Sequence, residues 1–194
     1  MPETDLPQQD ERAWSQLRVA LGDFLMEFAA LESIVMTEVV GALSADPTLV
    51  KYLEELLDLE KKTTLIRRLL EYYSTSIPDL LMKEIKSALN SVRKLQERRN
   101  EVAHNTSALL RFGETTSAGV QRPYSKRPLP TQPLGIPGSF EAWAASCVHS
   151  PDQITAYARE AMELRNRLLA TVPQLADALR QKPPGRFFKL EPQS

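Results

Sequence analysis

The chain has 194 residues, a formal net charge of −1, and apolar and charged fractions of 42% and 25%. These fractions are typical of a globular domain with one sizeable core and exclude global disorder. The net charge excludes an attraction of the whole molecule to nucleic acid. Any binding of RNA must therefore depend on local basic patches.

Cysteine content and acidic residues bear on where the protein works. The single cysteine, Cys147, excludes an internal disulfide bond and is typical of a reducing compartment. The apolar stretch over residues 19–43 is interrupted by carboxylates, which argues against a membrane span: Asp23, Glu27, Glu32 and Glu38. We therefore expect a cytoplasmic protein that has no contact with a membrane.

The first predicted element is a long amphipathic helix. Residues 1–10 are mostly polar and predict a flexible leader, after which apolar side chains recur at helical spacing from about Glu11 to Leu43. Gly41 and Pro47 predict the end of this helix. Its apolar stripe consists of Leu17, Leu21, Phe24, Phe28, Leu31, Val35 and Val39.

Two shorter helices are predicted next. Asp46 and Pro47 favour the start of one that runs to about Leu57, and a third helix spans about Leu59 to Tyr73. The apolar side of the third helix contains Leu65, Ile66, Leu69 and Leu70. We expect its basic residues on a solvated face: Lys61, Lys62, Arg67 and Arg68.

A fourth helix is predicted from the Ser76–Asp79 segment, with Pro78 just inside its first turn, to His104. Its apolar stripe consists of Leu81, Ile85, Leu89, Val92, then Gln96 or Leu95, and Val102. Arg99 continues this stripe. Its position is notable because an arginine rarely faces a core or an interface without a partner.

Helical periodicity is lost over residues 105–150, which contain five prolines and four glycines. Residues 106–112 predict a short strand or an extended edge within this insertion. A connection of this length in a compact domain is usually functional or mobile.

A last helix is predicted to begin at Ser150-Pro151-Asp152 and to run to about Gln181. Residues 183–194 then form a short tail. The sequence predicts an all-α bundle of four to five helices, in a single domain over residues 11–182 with the insertion before its last helix.

The chemistry of the chain is concentrated in residues 99–104, at the end of the fourth helix. Arginine stabilises a developing negative charge and histidine moves a proton at neutral pH, so Arg99 and His104 suit phosphodiester chemistry without a metal. On a helix, Asn100 lies on nearly the same face as His104, whereas Arg99 lies about 140° from it. Arg99 and His104 can therefore flank one phosphate only across a groove, or when a second subunit supplies one of them.

The pattern Arg99-Asn100, three residues, then His104, at the end of a long helix, resembles the motif of HEPN domains (higher eukaryotes and prokaryotes nucleotide-binding). The segment Phe24–Glu32 is also similar to the first helix of many such proteins. The resemblance covers roughly residues 15–180.

This resemblance implies a HEPN-like fold and a homodimer whose twofold axis brings two motifs into one cleft. Many members of the family are metal-independent endoribonucleases, often toxins of toxin–antitoxin or phage-defence systems. By this resemblance His104 acts as general base or general acid, Arg99 stabilises the phosphoryl transition state, and Asn100 orients His104 or a phosphate oxygen. The expected product is a 2′,3′-cyclic phosphate. The expected partners are RNA and an antitoxin or other protein, with no cofactor and no metal.

Glu32 is the supporting residue expected for this site. It is predicted to pair with Arg99, either to orient the guanidinium or as a buried ion pair that fixes the register of the two helices. Two further interpretations stay open. One is a HEPN-fold dimer without nuclease activity, serving as a nucleotide- or protein-binding scaffold. The other is an unrelated helical adaptor in which the Arg–His spacing is accidental.

The remaining candidates are expected to have structural roles. His149 has too few neighbouring ligand residues for a metal site and is predicted to be a surface or capping residue, and Cys147 is predicted to be structural. Four basic residues of the insertion either contact a substrate or an antitoxin, or belong to a solvated mobile loop: Arg111, Arg122, Lys126 and Arg127.

Overall fold

The computed structural model describes residues 6–43, 58–112, 115–127 and 139–181. These residues are mostly helical, which agrees with the predicted all-α class, and a small three-stranded sheet accompanies the helices. None of the helices within these ranges combines enough length with enough apolar character to cross a lipid bilayer.

The chain divides into two compact units. Unit 1 comprises Met1–Ala29 and Lys94–Met162, and unit 2 comprises Ala30–Arg93 and Glu163–Ser194. Residues 99–104 and the insertion therefore belong to unit 1. The prediction of a single domain over residues 11–182 stays a prediction.

Helix α1 spans Leu6–Ile34, so residues 6–10, which were predicted as part of a flexible leader, are helical. Gln8 and Gln9 favour this turn, because glutamine is a good helix former. The predicted leader residues 1–5 lie outside the described ranges.

The backbone stays helical beyond α1 but changes its hydrogen bonding. Val35–Val39 form a π-helical turn, and α2 continues over Val40–Leu43. The predicted stripe is confirmed, since all its members are buried except the partly exposed Leu21. The helix predicted at about residues 47–57 lies outside the described part of the chain.

Helix α3 spans Leu59–Tyr72 and begins after Asp58, whose carboxylate accepts the backbone N–H of Lys61 at 2.9 Å. Ile66 is fully buried, as predicted. Lys62 is buried rather than solvated, because it lies one turn before Ile66 on the apolar face.

Helix α4 spans Asp79–His104 and ends at the predicted residue. Pro78 precedes the first turn instead of lying inside it, since its carbonyl accepts the N–H of Met82 at 2.9 Å. The apolar residues of the predicted stripe of α4 are all buried, whereas Arg99 is partly exposed. At the position that the sequence left open, Leu95 is buried and Gln96 is partly exposed.

The predicted insertion contains an antiparallel sheet with strand order β1-β2-β3. Strand β1 spans Ser107–Phe112, which confirms the strand predicted there, and β2 spans Thr115–Gln121. Strand β3 is only Val148–His149, and His149 pairs with Val120 of β2. The sequence did not predict this sheet.

Two short helical elements lie between β2 and β3. A 3₁₀ turn spans Tyr124–Lys126, directly after β2, and helix α5 spans Ser139–Ser146, directly before β3. Cys147, between α5 and β3, is buried and carries a free thiol.

Helix α6 spans Pro151–Gln181, as predicted, and begins with a reciprocal cap. The Gln153 backbone N–H donates to Ser150 Oγ at 3.2 Å, and the Ser150 N–H donates to Gln153 Oε1 at 3.3 Å. Pro151 occupies the first helical position, where a missing N–H costs nothing. This cap fixes the point at which the chain leaves β3 and enters α6.

Candidate functional site

The three predicted catalytic residues lie on the last two turns of α4. Asn100 and His104 are exposed and Arg99 is partly exposed. Arg99 Nη1 donates to Asn100 Oδ1 at 3.2 Å, so the guanidinium and the amide are held together. Asn100 precedes His104 by one helical turn on nearly the same face.

Helix geometry separates Arg99 from His104 within one chain. Five residues of α-helix advance about 7.5 Å along the axis and leave the two side chains about 140° apart around it. Because α4 is regular to His104, one copy of the motif does not direct the guanidinium and the imidazole toward a common point.

Glu32, the predicted supporting residue, is partly exposed on α1 and belongs to unit 2, whereas Arg99 belongs to unit 1. The proposed pairing of Glu32 with Arg99 stays a prediction.

A polar cluster centred on a buried histidine lies beside the predicted motif in unit 1. We call it the Glu101 cluster, and its members are Glu101, Lys126, His149 and Tyr157. Glu101 Oε2 is 3.1 Å from His149 Nε2, and Glu101 Oε1 forms an ion pair with Lys126 Nζ. His149 Nδ1 lies 3.2 Å from Tyr157 Oη. The cluster thus joins α4, the 3₁₀ turn, β3 and α6.

His149 is the buried centre of this cluster, with 1% of its surface exposed. Burial, reinforced by the positive charge of Arg122, lowers the pKa of His149 despite the opposing effect of Glu101. An ionised carboxylate only accepts hydrogen bonds, so the neutral ring carries its proton on Nε2 and donates to Glu101. Nδ1 then accepts the hydroxyl proton of Tyr157.

Glu101 is ionised in this environment. Burial alone raises the pKa of a carboxyl group, but the hydrogen bonds and charges of Lys126 and His149 outweigh burial and lower the pKa of Glu101. The same interaction raises the pKa of Lys126. Glu101 also closes the end of α4, since its carbonyl accepts the Asn105 side-chain N–H at 2.5 Å and the Asn105 backbone N–H at 3.2 Å.

The aromatic ring of Tyr157 makes contacts in addition to those of its hydroxyl group. The Arg98 guanidinium lies 4.6 Å from the ring centroid and pairs with Glu160 at 2.5 Å. The Phe24 ring packs against Tyr157 with a centroid distance of 5.7 Å. These contacts leave the Tyr157 hydroxyl aimed at His149.

Sequence reasoning missed this cluster, and the prediction of His149 as a surface or capping residue is wrong. Strand β3 places His149 beneath α4 and α6, and a two-residue strand carries no hydrophobic pattern from which its burial could be predicted. Glu101 is one of many charged residues on α4 and has no distinctive spacing. The available signal was the scarcity of histidine, since His149 is one of only two.

Basic residues of the insertion are held by internal contacts. Arg122 Nη2 donates to Gln153 Oε1 at 3.3 Å, and Arg127 Nη2 donates to Gln121 Oε1 at 3.2 Å. Lys126 is paired with Glu101. The side chain of Arg111 lies outside the described part of the structure.

The described residues contain no group of three or more His, Cys, Asp and Glu side chains placed to hold a metal ion. Among the described residues of unit 1, His104 is exposed at the end of α4, and the second histidine, His149, is buried in the Glu101 cluster.

Comparisons with protein-family models, with curated proteins and with solved structures find no match for this chain.

Proposed function

We propose that this protein is a metal-independent endoribonuclease of the HEPN type that acts as a homodimer through Arg99, Asn100 and His104. The observation that carries the proposal is the exposure of His104 at the end of α4, one turn after an exposed Asn100 that binds Arg99. Catalysis by proton transfer requires a histidine that a substrate can reach, and His104 meets this requirement.

The dimer follows from the separation of the two groups around α4. A twofold axis beside the end of α4 would bring the Arg99 guanidinium of each subunit toward His104 of the partner subunit. The composite cleft then contains two imidazoles and two guanidiniums. Two imidazoles allow one to act as base and the other as acid.

In this mechanism one His104 removes the proton of the ribose 2′-hydroxyl, which attacks the adjacent phosphorus. The second His104 protonates the leaving 5′-oxygen. Arg99 stabilises the negative charge that develops on the phosphoryl oxygens, and Asn100 holds the Arg99 guanidinium in place. The reaction yields a 2′,3′-cyclic phosphate and a free 5′-hydroxyl, without a metal or a cofactor. A toxin or defence role, with an antitoxin as protein partner, fits this activity.

The test is cleavage of a mixed-sequence RNA by the purified protein in excess EDTA. We expect the wild-type protein to leave 2′,3′-cyclic phosphate ends and His104→Ala to abolish cleavage, because a general acid–base residue contributes about 10²–10⁴-fold in rate. An exposed histidine contributes little to the core, so the variant should stay folded and dimeric.

Ala103→Ser is the matched control, since Ala103 is exposed on the same turn of α4. It should cleave RNA at the wild-type rate. RNA turnover that persists in the His104→Ala protein would exclude the catalytic assignment.

A second candidate function is a HEPN-fold dimer without nuclease activity that binds a nucleotide or a protein as a scaffold. The internal contacts of Arg98, Arg122 and Lys126 favour it, because each of these cations already binds a side chain of the same chain, with which a phosphate backbone must compete. Under this alternative neither the wild-type protein nor His104→Ala cleaves RNA, and both form the same dimer.

A further inference from the structure

The end of a helix is its least constrained part, because its last four carbonyl groups have no partners within the helix. His104 is the last residue of α4. A residue that must transfer a proton needs a position fixed to a fraction of an ångström, and a shift of about 1 Å can cost about 10²-fold in rate. Something must therefore hold the last turn of α4.

The Glu101 carboxylate attaches this turn to the insertion. It lies three residues before His104 and binds one donor from each of two segments of the insertion, Lys126 from the 3₁₀ turn and His149 from β3. Charge-assisted hydrogen bonds of this kind are stronger than neutral ones. One carboxylate thus joins the end of α4 to both ends of the chain segment that follows β2.

His149 extends the attachment to α6. Its Nδ1 accepts from Tyr157, whose ring is fixed between Phe24 and the Arg98–Glu160 pair. The ring of His149 is too deeply buried to reach a substrate. Nε2 donates a hydrogen bond to Glu101 and Nδ1 accepts one from Tyr157, so each ring nitrogen has one partner.

We propose that Glu101 and His149 are positioning residues that hold the last turn of α4, and with it His104, in the geometry the reaction requires. The proposal rests on the ribonuclease function proposed above. Neither residue touches the RNA. Both join α4 to β3 and α6 through hydrogen bonds. The insertion thereby restricts the motion of the last turn of α4.

The experiment compares His149→Leu with His149→Gln. Leucine removes both hydrogen bonds, whereas glutamine keeps one donor and one acceptor. The two readouts are hydrogen exchange of a peptide that covers residues 99–106, measured by mass spectrometry, and kcat and KM for RNA cleavage in EDTA. We expect faster exchange and a kcat that falls about 10- to 100-fold in His149→Leu, with KM nearly unchanged. His149→Gln should recover most of both.

Val148→Ala is the matched control, because Val148 is also buried on β3 but makes none of the bonds to Glu101. A general loss of stability should affect Val148→Ala and His149→Leu alike. Equal losses of kcat in these two variants, or unchanged exchange of residues 99–106 in His149→Leu, would overturn the proposal. If His149→Leu does not fold, Glu101→Gln gives the same comparison, since it keeps the shape of the side chain and removes its charge.

The two proposals fail in different ways. If the wild-type protein does not cleave RNA, the proposed function is wrong, and hydrogen exchange still reports whether His149 holds the end of α4. If the wild-type protein cleaves RNA but exchange and kcat are insensitive to His149, only the positioning role is wrong.

Discussion

At the scale of single residues, the Glu101 cluster combines an ionised carboxylate with a neutral imidazole. Groups from three elements face His149: Glu101 and Arg98 from α4, Arg122 from the end of β2, and Tyr157 from α6. Acid pH disfavours this arrangement in two ways. It protonates the buried His149 ring, and it neutralises the Glu101 carboxylate that Lys126 and His149 bind. The cluster therefore links the stability of unit 1 to pH.

We expect the free energy of unfolding to decrease as the pH is lowered from about 7.5 to about 5.5. The pKa of His149 is lowered from 6.5 in the folded protein, so the unfolded chain binds more protons over the interval between the two values. The contribution of His149 is complete above its unfolded pKa and is lost as the pH falls through the folded one. The lowered pKa of Glu101 adds a second decrease at more acid pH, below its ordinary value of 4.5.

Urea unfolding of the wild-type protein and of His149→Gln at these two pH values measures this link. The variant has no imidazole to protonate at position 149, so its stability should decrease less between about 7.5 and 5.5. The same decrease in both proteins would show that the cluster does not carry the pH dependence.

At the scale of elements, Gly119 and Gly22 differ in the space that is available for a side chain. A Cβ at Gly119 of β2 would lie 2.9 Å from the His149 carbonyl oxygen and 3.0 Å from Val148 Cβ, whereas a Cβ at Gly22 of α1 meets nothing within 4 Å. Strand β3 can approach β2 this closely only because residue 119 has no side chain.

We expect Gly119→Ala to destabilise the protein by about 1–3 kcal/mol, since the clash involves backbone that must move. Gly22→Ala is its matched partner and should stabilise the protein by about 0.5–1 kcal/mol, because alanine is the better residue in an exposed helix interior. Urea unfolding of the two variants measures both effects. A neutral Gly119→Ala substitution would mean that β3 is not held against β2.

The helices were predictable from the sequence because their burial follows a period that the sequence displays. The stripe on α1 and the end of α4 at His104 were found in this way, and Ser150-Pro151-Asp152 predicted the start of α6. The sheet was not predictable, since β3 has two residues and β2 contains Gly119 in place of an alternating pattern. The position of His149 depends on pairing between residues far apart in the chain.

The residues around the candidate site also differ in how clearly the sequence indicates them. Arg99, Asn100 and His104 could be proposed from the sequence because they lie within six residues of one helix and resemble a known motif. Glu101, in the middle of the same six residues, was missed because its partners, Lys126 and His149, come from 25 and 48 residues away. Local patterns identify exposed chemistry, whereas the contacts that support it are set by tertiary structure.

At the scale of the whole molecule, the proposed mechanism makes each active site depend on two chains. Arg99→Ala and His104→Ala proteins should each be inactive as homodimers. A mixed dimer still presents one intact Arg99 from one chain and one intact His104 from the other in the shared cleft.

We therefore expect mixed dimers of Arg99→Ala and His104→Ala chains to cleave RNA faster than either parent homodimer. Each mixed cleft has lost one guanidinium and one of the two imidazoles that act as base and acid, so its activity should stay about 10²–10⁴-fold below the wild-type level. Dimers purified through two different affinity tags provide the measurement. Mixed dimers as inactive as the parents would argue that the two groups do not act across subunits.

The placement of the two histidines, one exposed at the end of a helix and one buried in the insertion, has a practical consequence for spectroscopy. A ¹H–¹⁵N spectrum of the imidazole rings contains signals from only two side chains, and solvent protection separates them without any substitution. The buried ring, protonated on Nε2, should give a slowly exchanging N–H signal, whereas the signals of the exposed His104 should respond to a molecule bound at the end of α4. One sample of the wild-type protein can thus report both the binding of RNA or a protein partner at His104 and any accompanying change in the surroundings of His149.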